Sequence, residues 1–386
     1  MTVNPEHADI VVVGGGPVGA LAALRFARAG RRVLLVEARA KEAPIRDARA
    51  LALSWASRQM LRDAGGWPDA LAATTIDTVH VSQQGSCGRT VLDRADLALP
   101  HLGVVVDYPV LTASLNAALE SAGVMVLWQS RVESVKSLPH YARLTVTSPE
   151  GPGMLTARLV VLAEGGELAA TLPGVKRLSH DYRQCAVLAP ITTERPPQGV
   201  AYERFAAHGP LALLPHGDGF MLVWTRSADD AVRLRDSDDS VLIAELQQAF
   251  GERQGRILAA GPRAVFPLAL KQANRLVSGR VALIGNAAQT MHPVAAQGLN
   301  LGLRDAAGLA DALEGVADPG DARALAAFAG SRKIDSHAVV GFTHGLIRLF
   351  DGHSQLVKTV RGAGMMALDV LPPLRRAFAG HLVFGV

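Results

Sequence analysis

The sequence predicts an α/β protein. It should have a Rossmann-like dinucleotide-binding domain, a smaller domain built on a mixed antiparallel sheet, and a helical C-terminal tail. Three observations carry that expectation. Residues 9–37 read as strand, Gly-rich turn, helix and strand; residues 181–226 read as short strands divided by turn residues; and after residue 336 apolar residues recur at roughly helical spacing until Pro372-Pro373.

The first unit opens with an apolar run at 9–13 that shows no alternation, as expected of a parallel strand buried on both faces. Gly14-Gly15-Gly16-Pro17-Val18-Gly19 follows and matches G-x-G-x-x-G. A helix from Pro17 to about Ala29 should end at Gly30, and a second strand, 32–36, should end at Glu37. The motif alone is weak, but here it lies between two strands with an acid 18 residues past its last glycine. In such a unit Gly14 makes the tight turn, Gly16 lets a pyrophosphate reach the backbone, and Gly19 packs helix on strand. Glu37 is then placed to accept from ribose hydroxyls. Further along, 79–91 should add strands to the smaller sheet, 102–119 reads as strand then helix, and 159–166 as a buried strand with a Gly-rich end. Between Pro196-Pro197, His208-Gly209-Pro210 and Gly217-Asp218-Gly219 we expect antiparallel strands at 199–205, 211–215 and 220–225. Residues 228–256 are polar and helical in pattern.

The most telling stretch is 279–305. A short apolar strand, 280–284, stops at Gly285-Asn286; a polar loop holds Gln289, Thr290 and His292; and Pro293 is well placed to start a helix. Gly298, Asn300 and Gly302 fall in the opening turns of that helix, where each Gly costs about 1 kcal/mol relative to Ala. Such a cluster implies that something approaches the backbone closely.

These motifs together resemble the single-component aromatic hydroxylases, the class A flavin monooxygenases. The 279–305 stretch is similar to that family's second flavin motif, G-D-A-A-H, then P, then G-x-G-x-N-x-G-x-x-D-A. Asn286 stands for Asp, Gln289 for His and Ala296 for Gly. Residues 159–166 resemble the middle motif, usually A-D-G, with Glu164 for the Asp beside Gly165. Residues 47–61 resemble the segment in which Arg49 reaches the flavin dinucleotide, while Pro109 stands where the family usually carries an Arg near the pyrophosphate. The run from Asp181 to Arg226 resembles the ubiquinone-biosynthesis hydroxylases, and within them the branch acting on 2-polyprenyl-6-methoxyphenol.

The resemblance implies the aromatic hydroxylase fold and one non-covalent FAD. It places the cofactor on Gly14, Gly16, Gly19, Glu37, Arg49, Glu164, Gly165, Gly285, Asn286, Pro293, Gly298, Leu299 and Asn300. The helix after Pro293 would direct its positive end at the flavin ring. NAD(P)H would bind transiently as co-substrate, and O2 would yield a C4a-hydroperoxide that hydroxylates a polyprenylated phenol. Tyr202, Leu213 and Trp224 are the expected walls of the substrate cavity; no catalytic side chain and no metal site is assigned. The expected domains are a discontinuous FAD-binding domain (1–68, 98–180 and 262–335), a substrate domain (69–97 and 181–261) and a tail (336–386). Two alternatives stay open: a flavin-retaining assembly subunit of a quinone-biosynthesis complex with little turnover, and a flavoenzyme acting on another substrate, whether another aromatic ring, as an oxidase, or as a lipid reductase.

Bulk properties narrow the setting. The 386 residues suffice for two domains and a large core, with 49% hydrophobic and 19% charged residues. Cys87 and Cys185 form neither a disulfide framework nor a metal site and read as small buried hydrophobes. The N-terminus lacks a signal-peptide pattern, and no apolar run reaches the roughly 18 residues of a membrane helix. A cytoplasmic protein, peripheral to the inner face of the cell membrane, is the expectation. The net charge of +4 lies wholly after residue 331, where seven Lys/Arg face three acids. The body is balanced, which argues against nucleic-acid binding. The basic, apolar tail reads either as helices completing the core or as a surface meeting membrane or partner.

Overall fold

The computed structural model describes residues 7–44, 49–85, 88–291, 296–351 and 364–385. Three sheets organise them. The first is eight-stranded, and its centre is a parallel array in the order Met125–Leu127, Val33–Val36, His7–Val13, Gly151–Leu162 and Val281–Leu283. Ile10 pairs with Val33 on one side and Leu159 on the other, and Val13 with Val36 and Leu162. The middle strands therefore end together at one edge, which places the Gly14, Glu37 and Glu164 turns side by side. Both faces of this array are covered, which is why its strands read as continuous apolar runs. Helices α1 (Pro17–Arg28), α3 (Tyr108–Ser121) and α6 (Gln297–Ala312) pack on one face around Leu21, Phe26, Leu111 and Leu303.

The second sheet has nine strands. Its core is the antiparallel series Arg177–Thr193, Gly219–Ser227, Gly209–His216 and Val200–Ala206, continued by a parallel pairing to Thr78–Gln83 and then Arg89–Asp93. Ala264–Ala273 pairs along the long strand Arg177–Thr193 and leads the chain back to the first sheet. Helices α4 (Ala228–Asp236) and α5 (Asp239–Phe250) cover one face, burying Leu234, Leu242, Leu246 and Phe250 against Leu213 and Trp224. A small third sheet, Ala50–Ser54, Gly103–Asp107 and Thr74–Ile76, bridges the two. Helix α2 (Trp55–Asp63) follows directly from Ser54, whose hydroxyl caps it by accepting from the Ser57 amide.

A single 30-residue helix, α7 (Ala322–Asp351), leads into the tail and runs across residues 335 and 336. The C-terminal helix Pro372–Phe384 also docks on the body: Ala379 and Val383 close over Leu92 and Leu102. Arg375 gives both a 2.9 Å Nε bond and a 2.9 Å Nη2 bond to the Asp96 carboxylate. Of the seven tail cations, Arg375 and Arg332 are thus held in ion pairs with the protein itself. Lys358 and Arg361 lie outside the described residues. No helix among the described residues is long and apolar enough to cross a membrane.

Candidate active site

The three Gly-rich turns meet at one end of a cavity of about 1080 Å³. The cavity continues to the face of the nine-stranded sheet opposite α4 and α5, and the small bridging sheet forms part of its wall. Its lining comes from every motif the sequence singled out.

Gly14 has φ +103, and a Cβ there would lie 2.8 Å from the Ala163 carbonyl oxygen, so only glycine suits the turn. At Gly19 a Cβ would lie 2.0 Å from the Gly14 carbonyl oxygen; this glycine lets α1 press against the turn. Gly16 is different. It is the N-cap of α1, with ordinary extended backbone and no capping side chain, and the nearest atom to an added Cβ would be the Tyr108 hydroxyl at 3.9 Å. The space before the helix N-terminus is therefore open, as an anion held by free amides and the helix dipole requires. Glu37 is buried beside this turn: one carboxylate oxygen accepts from Gly15 N–H at 2.6 Å and the other from Arg39 N–H and Nε at 2.9 Å each. A carboxylate offers about four lone-pair sites, so acceptor capacity remains for a ribose hydroxyl. Arg49 lines the cavity with its guanidinium 5.1 Å from the Phe266 ring centroid and 5.9 Å from that of Tyr108.

The middle motif supplies a second mark of a ligand. Glu164 Oε2 accepts from the amides of Gly166 and Glu167, both at 3.0 Å, whereas its buried Oε1 has no partner among the described residues. Gly165 beside it has φ +105 and open space where a side chain would stand. Arg177, which sequence reasoning passed over, ties this turn to the next: Nη1 donates to the Gly166 carbonyl at 2.7 Å and Nη2 to the Asn286 carbonyl at 3.1 Å.

In the third motif Gly285 has φ +57 and Asn286 is exposed toward the cavity. Asp305 anchors the loop. It is fully buried, accepts from Gly285 N–H and Gln289 Nε2 at 3.1 Å each, and pairs with Arg332 Nε at 2.8 Å. Burial pushes its carboxyl above the ordinary range in spite of these donors. For Asp335, desolvation acts the same way, but Arg304 and Arg332 outweigh it and hold that carboxyl below its usual value. Gln289, in the family's His position, is a bracket between Asp305 and Ser336. The Asp of the G-x-x-D pattern was visible in the sequence, but its anchoring role was not. Pro293 and His292 lie outside the described residues.

At the start of α6, Ala296 caps the helix with φ +50. The cap residue Ala296 offers no side-chain acceptor, and the amides of Gln297, Gly298 and Leu299 have no acceptor within their own helix. Gly298 and Leu299 line the cavity. Asn300 does not. It is buried, with its side chain accepting from Ser54 N–H at 2.9 Å and donating to the Ala52 and Ala296 carbonyls, so it fastens α6 to the strand Ala50–Ser54. Gly302 likewise serves packing: a Cβ there would meet Val18 Cγ2 at 2.8 Å.

The expected substrate walls need correction. Register pairs Tyr202 with Leu213, Leu213 with Leu222 and Leu211 with Trp224, and that whole set faces α4 and α5. Leu213 and Trp224 are core residues. Tyr202 borders the cavity, but its ring packs among His80, Phe220 and Phe250 and its hydroxyl accepts from Gln254. One residue along each strand, Glu203, Ala212 and Val223 line the cavity instead, because a β-strand turns successive side chains to opposite faces. The remaining walls are mainly apolar: Ala186, Leu188, Leu214 and Leu268. Cys185 is half-buried, and burial raises its thiol pKa; Cys87 lies outside the described residues.

Comparison with known proteins agrees with this geometry. A model of the FAD binding domain family matches residues 7–343. The chain is 32% identical to ubiquinone hydroxylase UbiL of Rhodospirillum rubrum, covering 97% of this chain and 89% of that protein. It is 31% identical to the 3-demethoxyubiquinol 3-hydroxylase of Escherichia coli, covering 97% and 98%. In structure it is similar to p-nitrophenol 4-monooxygenase PnpA of Pseudomonas putida, with a TM-score of 0.81 at 19% identity over 98% of this chain and 99% of that one. The open space before Gly16, the orphaned Glu164 oxygen and the uncapped α6 terminus suit a flavin dinucleotide. The chain is a member of the FAD-dependent aromatic monooxygenase family that includes the ubiquinone-biosynthesis hydroxylases.

Proposed function

We propose that this protein hydroxylates the ring of a prenylated phenol in ubiquinone biosynthesis, with NAD(P)H as reductant and O2 as oxygen source. The observation that carries the reading is the single cavity joining the flavin motifs to an apolar sheet face. Bound FAD supplies the redox chemistry and oxygen activation; the chain's residues hold, orient and enclose. The α1 terminus at Gly16 and the α6 terminus at Gly298-Leu299 are suited to the pyrophosphate and the ring edge respectively, since each is the positive end of a helix whose cap residue supplies no side-chain acceptor. Ala186, Leu188, Ala212, Leu214 and Val223 offer a ring a dry surface, which favours oxygen transfer over loss of oxidant to water.

The test is incubation of FAD-loaded protein with NADPH and a short-chain prenylated methoxyphenol, with products identified by mass spectrometry. Substrate-stimulated NADPH oxidation with one added oxygen is expected. Bound FAD with no stimulation in the presence of substrate would favour the assembly-subunit reading. For delivery of a lipid-tailed substrate we infer weak contact with a bilayer through Met366, Val370, Leu371 and Leu374. These stand 54%, 71%, 50% and 47% exposed around the start of the C-terminal helix. Co-sedimentation with anionic vesicles at low salt, lost on replacing these four by serine, is the expected result.

A further inference from the structure

We propose that Glu203 receives the substrate's phenolic hydroxyl and takes up its proton during hydroxylation; the inference rests on the phenolic reading above. Glu203 sits in the middle of the strand Val200–Ala206 and faces the cavity, with Val81 and Ala212 opposite it on the neighbouring strands. Among the described residues no charged side chain acts on its carboxyl. Arg204 points to the other side of the sheet, donating to the Ala249 carbonyl at 2.8 Å and approaching Ser82 Oγ at 3.3 Å. His80 and Arg253 are bound to each other at 2.9 Å behind the sheet, and His216 is bound to Asp107 at 2.8 Å at the strand end. No donor among the described residues reaches the Glu203 carboxylate, and desolvation alone pushes it up to about 8.

An unpartnered acid among apolar side chains is a cost that packing does not explain. Two other acids at this site are engaged: Glu37 by Gly15 and Arg39, Glu164 by Gly166 and Glu167. Glu203 is half-buried on the cavity wall among apolar sheet residues instead, and a desolvated, perturbed carboxyl in a cleft is a functional-site signal. A phenol fits it. The hydroxyl is a hydrogen-bond donor, and its pKa of about 10 is closer to a carboxyl near 8 than to an exposed one near 4, so the proton moves with a small energy gap. In the step, the phenol O–H bond breaks and the proton passes to a Glu203 oxygen. The electron pair stays on the ring oxygen and enriches the ortho and para carbons. Nothing is oxidised in that transfer. When the hydroxylated carbon later releases its hydrogen to solvent as a proton, Glu203 returns its own to the ring oxygen.

The test uses FAD-loaded full-length protein and two probes, a guaiacol bearing one prenyl group and its methyl ether, with binding followed by the change in flavin absorbance. The wild type should bind the phenol about tenfold more tightly than the ether, the scale of one hydrogen bond to a buried polar group. Glu203→Ala should abolish that preference while keeping its flavin. Glu203→Gln, which can still accept the hydrogen bond, should keep the preference but lower hydroxylation about 10²- to 10⁴-fold and remove the rise in rate through pH 8. An alanine variant that still prefers the phenol overturns the inference, as does a glutamine variant with wild-type rate and pH profile. A wild type that binds neither probe overturns the phenolic reading as well.

Discussion

Gly16 and Gly19 lie three residues apart in one motif, yet the structure assigns them different work, and alanine at each should separate binding from folding. At Gly16 the backbone is extended and open to any residue, with φ −67 and ψ 174. An added methyl meets nothing closer than 3.9 Å. Replacing an N-cap glycine by alanine costs about 1 kcal/mol, and the stiffer unfolded chain returns roughly 0.4–1 kcal/mol; the FAD-free protein should change little. At Gly19 the methyl would lie 2.0 Å from the Gly14 carbonyl oxygen and 3.2 Å from Ala163 Cβ. Backbone must move to admit it, and overpacking of that kind costs about 1–3 kcal/mol. Cofactor binding reverses the order. FAD at a hundred times its Kd adds about 2.7 kcal/mol to the folded state. Gly16→Ala should lose much of that gain, because its methyl would stand where we propose that the pyrophosphate approaches the helix terminus. The assay is a urea midpoint for FAD-free protein together with an FAD titration by fluorescence quenching. Should Gly16→Ala bind FAD like the wild type while its FAD-free form is destabilised, the turn is a structural element and the nucleotide lies elsewhere.

Three further outcomes are open to direct measurement. Ala296→Gly should stabilise the protein by about 1 kcal/mol, because a residue with a Cβ at φ +50 carries a strain of about 1–2 kcal/mol that glycine avoids; an unchanged or lowered urea midpoint would contradict this. His80 is neutral in the fold, its pKa pulled from 6.5 to about 4 by burial and then by Arg253. Its folded pKa lies below the unfolded one, so its contribution is full above pH 6.5 and is lost as pH falls toward 4. His80→Gln should therefore flatten the acid limb of stability by about 1.4 kcal/mol per pH unit in that window, and an unaltered limb would point to other groups. Finally, removing residues 351–386 uncovers Leu92 and Leu102 and leaves Asp96 without Arg375, so the truncated protein should melt lower even without lipid. Arg375→Ala should expose the same helix to faster trypsin cleavage; wild-type midpoint and cleavage rate would mean that the helix serves the surface alone.

The sequence by itself determined the local chemistry. Gly14, Gly16, Gly19 and Glu37 form a pattern that few backbones other than a dinucleotide turn require, and the continuous runs at 9–13 and 159–162 could be read as buried parallel strands. The strands Val200–Ala206, Gly209–His216 and Gly219–Ser227 were also legible from their turn residues. Their facing was not. Leu213 and Trp224 on one side and Ala212, Leu214 and Val223 on the other are all apolar, so no alternation marked which side met the helices and which met the cavity. Only the packing of α4 and α5 on one face decided it, and with it the place of Glu203, whose neighbour Tyr202 had looked the better candidate. Asn300 shows the same limit: its residue type suited a ligand, but the approach of Ser54 and Ala52 from a strand about 250 residues earlier in the chain occupies its side chain. The long ion pairs behave alike, since Asp305 with Arg332 and Asp96 with Arg375 join residues whose sequence separation hides them. Periodicity and turn chemistry act over a few residues and can be read along the chain. Which face is buried, and which charges are paired, depends on which distant elements meet, and that only the tertiary structure decides.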